Sequence, residues 1–256
     1  MCHLLTLDIL GVSSIPLKTL ETDSTLPNLL ARTPELETLV TSTSEKFLNM
    51  PCLRNLHIRS KNAVRAPVIE HLLSACTGTL STFSYTSFDS HIVGVMNLLD
   101  KPRFHASLET LHLNMLSTDS QGDHKMPSLK QSIQLKRLFL HTYLLYGPKY
   151  PACCRGKFKV KPLVDTLPSS IISLDLSERT QTPDGRMRDD LLILSKDVAF
   201  AFPQLREIRS NTDHVYDEYP EALFKSVGVE LIHQNLTICC WIDTVVRIGL
   251  ERLLSL

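Results

Sequence analysis

The hydrophobic positions of the chain fall into a short phrase that returns along most of its length. Its clearest copy is Leu108-x-x-Leu111-x-Leu113, within the stretch Ser107–Met115. Leu111 and Leu113 are two apart, so an extended strand puts both on one face and the residues flanking them on the other. Leu108 closes the turn that leads in. The phrase returns at Leu53-x-x-Leu56-x-Ile58, Leu135-x-x-Leu138-x-Leu140 and Ile171-x-x-Leu174-x-Leu176. Weaker copies are Leu4-x-x-Leu7-x-Ile9, Leu36-x-x-Leu39-x-Thr41, Leu80-x-x-Phe83-x-Tyr85 and Leu205-x-x-Ile208-x-Ser210. Internal repetition of this kind decides the architecture before any other feature.

Between the phrases the period changes to that of a helix. Ala66–Cys76 has Pro67 near its start, Val68, Ile69, Leu72, Leu73 and Cys76 at helical spacing, and Gly78 beyond it as a stop. Asp89–Leu99 repeats the pattern, with Ile92, Val93, Met96 and Leu99 on one face. Lys161–Leu167 and Asp189–Ala201 do the same, and Pro168 and Pro203 mark their ends. A shorter helix is expected at Leu26–Arg32, and a last one at Pro220–Val227 before a closing strand at Val229–Ile232. Each unit is thus a helix, a turn and a short strand.

The phrases start at 4, 36, 53, 80, 108, 135, 171 and 205, at successive distances of 32, 17, 27, 28, 27, 36 and 34 residues. Regular leucine-rich repeats run about 20–29 residues, so the middle units fit and the flanking ones carry insertions. The expected fold is α/β: an irregular leucine-rich-repeat solenoid with a curved parallel sheet on its concave side and helices on its convex side. It would occupy residues 1–232. Residues 233–256 form a tail or cap, where Val246, Leu250, Leu253 and Leu254 line one helical face. Two loops break the rhythm: polar Leu116–Met126, and Tyr143–Phe158 with its three tyrosines, a candidate for recognition.

Charge narrows the range of partners. Lys plus Arg is 27 and Asp plus Glu is 27 in 256 residues, so no net charge draws nucleic acid or an anionic membrane. The 43% of hydrophobic residues demands a packed core. Seven scattered cysteines include no Cys-x-x-Cys pair, which leaves a zinc ribbon or thioredoxin-like site unsupported and suits a reduced, intracellular chain. The vicinal pairs Cys153–Cys154 and Cys239–Cys240 are the places where a strained disulfide or a soft metal would sit. The first residues lack a basic region and carry Asp8, unlike a signal peptide, and no run of about 18 apolar residues offers a membrane span. A cytoplasmic or nuclear protein is expected, with neither nucleic acid nor membrane as partner.

The chain resembles the leucine-rich-repeat region of fungal F-box-like proteins. The matching segments are Leu29–Leu39, Leu167–Leu176 and Ala222–Leu231, and the likeness spans roughly residues 4–232. In that family an N-terminal F-box helix bundle docks a ubiquitin-ligase adaptor while the repeats hold a substrate. With a first phrase at Leu4, the chain leaves no room for such a bundle, so an adaptor would be a partner only through an F-box outside it. The resemblance implies a substrate-recognition module of a ubiquitin-ligase receptor.

The residues beside the strand leucines form the candidate site. Those between the leucines are Val40, His57, Ser84, His112, Phe139, Asp175 and Arg209; those after them are Ser42, Arg59, Thr86, Asn114, His141, Ser177 and Asn211. Near the middle, His57, Arg59, His112, Asn114, Phe139 and His141 make a solvent-facing patch of polar, cationic and aromatic groups that suits protein recognition. His57 and His112 would lie about 9–10 Å apart with one strand between them, too far to share a metal ion. No Gly-x-Ser-x-Gly, Walker, His-Glu-x-x-His or dinucleotide motif is present, so no cofactor is expected and an enzyme is not the first reading. The competing class is a hydrolase or transferase with a Cys/His site, whose partners one sequence cannot pair.

Overall fold

The computed structural model describes residues 19–22, 36–41, 50–60, 66–76, 79–87, 95, 97, 99–115, 126–146, 163–177, 186–211 and 218–233. Among the described residues are nine strands, with helices between β3 and β4, β4 and β5, β6 and β7, β7 and β8, and β8 and β9: β1 Thr19–Thr22, β2 Thr38–Thr41, β3 Asn55–Ser60, β4 Thr82–Ser87, β5 Thr110–Met115, β6 Arg137–His141, β7 Ser173–Ser177, β8 Glu207–Ser210 and β9 Glu230–His233. They form one sheet in sequence order, and every neighbouring pair is parallel. The helices are α1 Ala66–Ala75, α2 Pro102–His105, α3 Thr142–Tyr146, α4 Leu163–Thr166, α5 Arg186–Ala201 and α6 Glu218–Ser226.

The sequence phrases set the register. The first strand leucines align as Leu20, Leu39, Leu56, Phe83, Leu111, Leu138, Leu174, Ile208 and Leu231, one per strand across the sheet. The second positions align two residues later, as Ile58, Tyr85, Leu113, Leu140 and Leu176 in the middle five strands. Of these two ladders, Leu39, Leu56, Ile58, Phe83, Tyr85, Leu111, Leu113, Leu138, Leu140, Leu174, Leu176 and Ile208 are wholly buried. They join one core with helix residues Ile69, Leu72 and Leu73 of α1 and Met187, Leu191, Leu194 and Val198 of α5. The helices therefore cover the leucine face. Each such side chain contributes about 1.5–3 kcal/mol of burial, and no single ladder could supply that without its neighbours.

The residue that leads into β3, β6, β7 and β8 is held by a turn. The N–H of Leu53 donates to Met50, that of Leu135 to Ser132, that of Ile171 to Pro168 and that of Leu205 to Phe202, at 3.0–3.3 Å. At the next residues, one carbonyl accepts two successive N–H groups of the following strand. Glu37 O takes Arg54 and Asn55, Arg54 O takes Ser81 and Thr82, and Ser81 O takes Glu109 and Thr110. The same junction recurs at Glu109, Lys136 and Ile172.

Sequence and structure differ at particular places. Strand β1 was not among the eight phrases, although Leu17-x-x-Leu20-x-Thr22 has the same form as Leu36-x-x-Leu39-x-Thr41. The phrase at Leu4, the helix expected at Leu26–Arg32 and the tail from Gln234 lie outside the described residues. Helix α3 occupies the start of the segment expected as a loop, because Thr142–Tyr146 buries Leu144 against the core. Helix α5 begins at Arg186, three residues before the expected Asp189. Helix α6 is closed by Gly228, two residues past its end, whose N–H reaches Lys225 O at 3.1 Å and whose φ of +77° turns the chain so that Val229 N–H reaches Phe224 O at 2.9 Å.

Candidate functional site

The face opposite the leucines carries one continuous row. Val40, His57, Ser84, His112, Phe139, Asp175, Arg209 and Ile232 stand side by side from β2 to β9. One position earlier on each strand's same face lie Asn55, Thr82, Thr110, Arg137, Ser173, Glu207 and Glu230. One position later, Arg59 pairs with Thr86, Thr86 with Asn114, and His141 with Ser177. All six sequence candidates (His57, Arg59, His112, Asn114, Phe139 and His141) therefore lie on this one face. His57 and His112 flank Ser84, two strands apart, as the spacing requires.

Their exposure differs from the expectation. His112 is 7% exposed and Phe139 6%, and Asn114 and His141 are buried with them. His57 keeps intermediate exposure, and the side chain of Arg59 lies outside the described ones. Parallel strands about 4.8 Å apart bring side chains of one row into lateral contact, so neighbours shield one another. The Ser84 hydroxyl meets His112 Nδ1 at 3.0 Å, and the His112 and Phe139 rings stand edge to face with centroids 4.1 Å apart. These groups form a packed, hydrogen-bonded floor (a polar core on the sheet's second face) where solvated side chains were expected.

The accessible chemistry lies at the β6–β9 end. Arg137 and Glu230 are exposed, while Asp175, Glu207, Arg209 and Ile232 are half-buried. Arg209 gives Nη2 to Glu207 Oε2 at 2.8 Å, and its Nε stands 3.9 Å from Asp175 Oδ1, beyond hydrogen-bonding reach. Burial pushes the Asp175 carboxyl up to about 7, a rise that Glu207 adds to and that attraction to Arg209 and Arg137 only partly offsets. Desolvation also raises Glu207, but hydrogen bonds from Ser173 and Arg209, with the two arginine charges, outweigh it and hold Glu207 below the usual carboxylate range. Sequence reading placed Asp175 and Arg209 in the row without joining them. The signal was there: opposite charges at one phrase position in consecutive phrases become cross-strand neighbours.

No protein-family model, no curated protein and no solved structure matches the chain. The site therefore has to be read from its own groups. Burial pushes the Cys76 thiol up to about 12, despite the opposing charge of Arg103, and its Sγ donates to Leu72 O at 3.2 Å. Such a thiol is a packing group, not a nucleophile. Among the described residues no three His, Cys, Asp or Glu side chains gather as metal ligands, and no helix is long and apolar enough to cross a membrane.

Proposed function

We propose that the chain is a protein-interaction module, built as an irregular leucine-rich-repeat solenoid, whose leucine-free sheet face receives a polypeptide partner. The observation that carries this reading is the single register row from Val40 to Ile232. A sheet that grows by one parallel strand per phrase displays one side chain per strand on an extended face, which is the surface such arrays use for recognition. The six residues from His57 to His141 serve as the floor and the N-terminal side of this surface. The charged groups on β6–β9 supply its exposed contacts. The resemblance to fungal F-box-like proteins supports a narrower form of the same reading, in which the module holds the substrate of a ubiquitin-ligase receptor.

The test is capture of partners by the wild-type protein and by a double variant, Arg137→Glu with Glu230→Lys. Both side chains are exposed, so the variant should keep its melting point and circular dichroism. A partner held by this face should be lost from the variant. Identical capture by both proteins would move the site to the helical side.

A further inference from the structure

Resting on the reading of this face as a binding surface, we propose that its β6–β9 end receives a basic side chain of the partner, a lysine or arginine, at Asp175. Three observations converge on that residue. Asp175 stands in the row between Phe139 of β6 and Arg209 of β8, with its side chain 16% exposed on the face. Its natural counter-ion is engaged elsewhere, because Arg209 gives its hydrogen bond to Glu207 and only its Nε faces the Asp175 oxygen, at 3.9 Å. Asp175 Oδ1 is buried without a hydrogen bond, so the carboxylate has lost water and gained little in return.

The local charge favours the same partner. The charged groups acting on Asp175 are Arg137 on β6 and Glu207 and Arg209 on β8; Glu230 on β9 acts in turn on Arg209, and His141 of β6 stands diagonally across on the same face. Together with Asp175 these include three carboxylates against two guanidiniums, so the ionised cluster has room for one more cation. A cation from the partner, set against the exposed part of the Asp175 carboxyl, would restore the charge balance around the unpaired Oδ1.

Proton linkage follows from this arrangement. A basic side chain binds the ionised carboxylate, and a group titrating at about 7 is roughly a tenth ionised at pH 6 and nine-tenths at pH 8. Affinity should therefore rise about tenfold across that range.

The experiment uses the full chain and two fluorescein-labelled hexapeptides with blocked termini, one Lys/Ser and one Glu/Ser, read by anisotropy at pH 6 and pH 8. The expected result is binding of the lysine peptide, with an affinity gain from pH 6 to pH 8 about tenfold larger in the wild type than in Asp175→Asn. Histidines on the face are common to both proteins and cancel in this comparison. No binding of the lysine peptide at millimolar concentration, preference for the glutamate peptide, or an unchanged pH effect in Asp175→Asn would overturn the proposal. Should the Arg137/Glu230 variant lose its partner while the lysine peptide fails, the face remains the binding surface and only the basic anchor is wrong.

Discussion

Replacing Asp175 by asparagine should stabilise the protein at alkaline pH and leave it much less changed in acid. The side chain is nearly isosteric, so the substitution removes the charge and keeps the volume. An aspartate that titrates at 3.8 when unfolded and about 7 when folded is more readily protonated in the native state. Stability from such a group is present at low pH and lost as pH rises through its folded value. At 1.36 kcal/mol per pH unit the full loss is about 4 kcal/mol. From pH 5 to pH 8 the unfolded chain is already ionised, while the folded carboxyl gives up its proton only near the end of the range. About two pH units of this interval count, or about 2.5 kcal/mol. Urea titrations of both proteins at pH 5 and pH 8 measure it. The wild type should lose about 2.5 kcal/mol more than Asp175→Asn over that interval. Equal losses would show that Asp175 is solvated and ordinary, and would remove the basis for its role as an anchor.

Other substitutions probe the frame that holds the site. Leu111→Ala should cost about 3 kcal/mol by chemical denaturation, because the side chain lies 1% exposed in the ladder. His112→Ala, one residue along, should cost about 1–2 kcal/mol, from its bond to Ser84 and its packing on Phe139; a cost below about 0.5 kcal/mol would return it to solvent. Gly228→Ala should cost about 1 kcal/mol through its positive φ alone, since an added Cβ there meets no atom within 4 Å. Phe200→Ser should leave the unfolding free energy in urea unchanged within about 0.5 kcal/mol, because that ring is 91% exposed on α5.

The ladder was legible because two apolar residues at i and i+2 have one physical use in a short strand. Seven of the eight phrases, from Leu36 to Leu205, lie where strands β2 to β8 form, in mutual register. Strand β1 pairs with β2 through one ladder position, Leu20 beside Leu39, so its phrase at Leu17 was as legible as the one at Leu36 and was passed over. The alternation placed the candidate residues on the face opposite the leucines, but the burial of His112, Asn114, Phe139 and His141 was not foreseen. Alternation tells which face a side chain occupies, whereas its exposure depends on the size of the side chains on the two adjacent strands. His112 illustrates this, closed in by Ser84 on one side and Phe139 on the other. The ionisation of Asp175 was out of reach for the same reason: it depends on distances to Arg209 and Glu207, set by strand spacing and by which carboxylate the guanidinium prefers.

The claim that the leucine-free face is the binding surface is tested most directly by site-specific photo-crosslinking. A benzophenone amino acid placed at Arg137 samples the strand face, and one placed at Phe200 samples the helical side; both positions are exposed. Irradiation with a captured partner should give a covalent adduct from position 137 and none from position 200. An adduct from position 200 alone would place the partner on the helices and contradict the account.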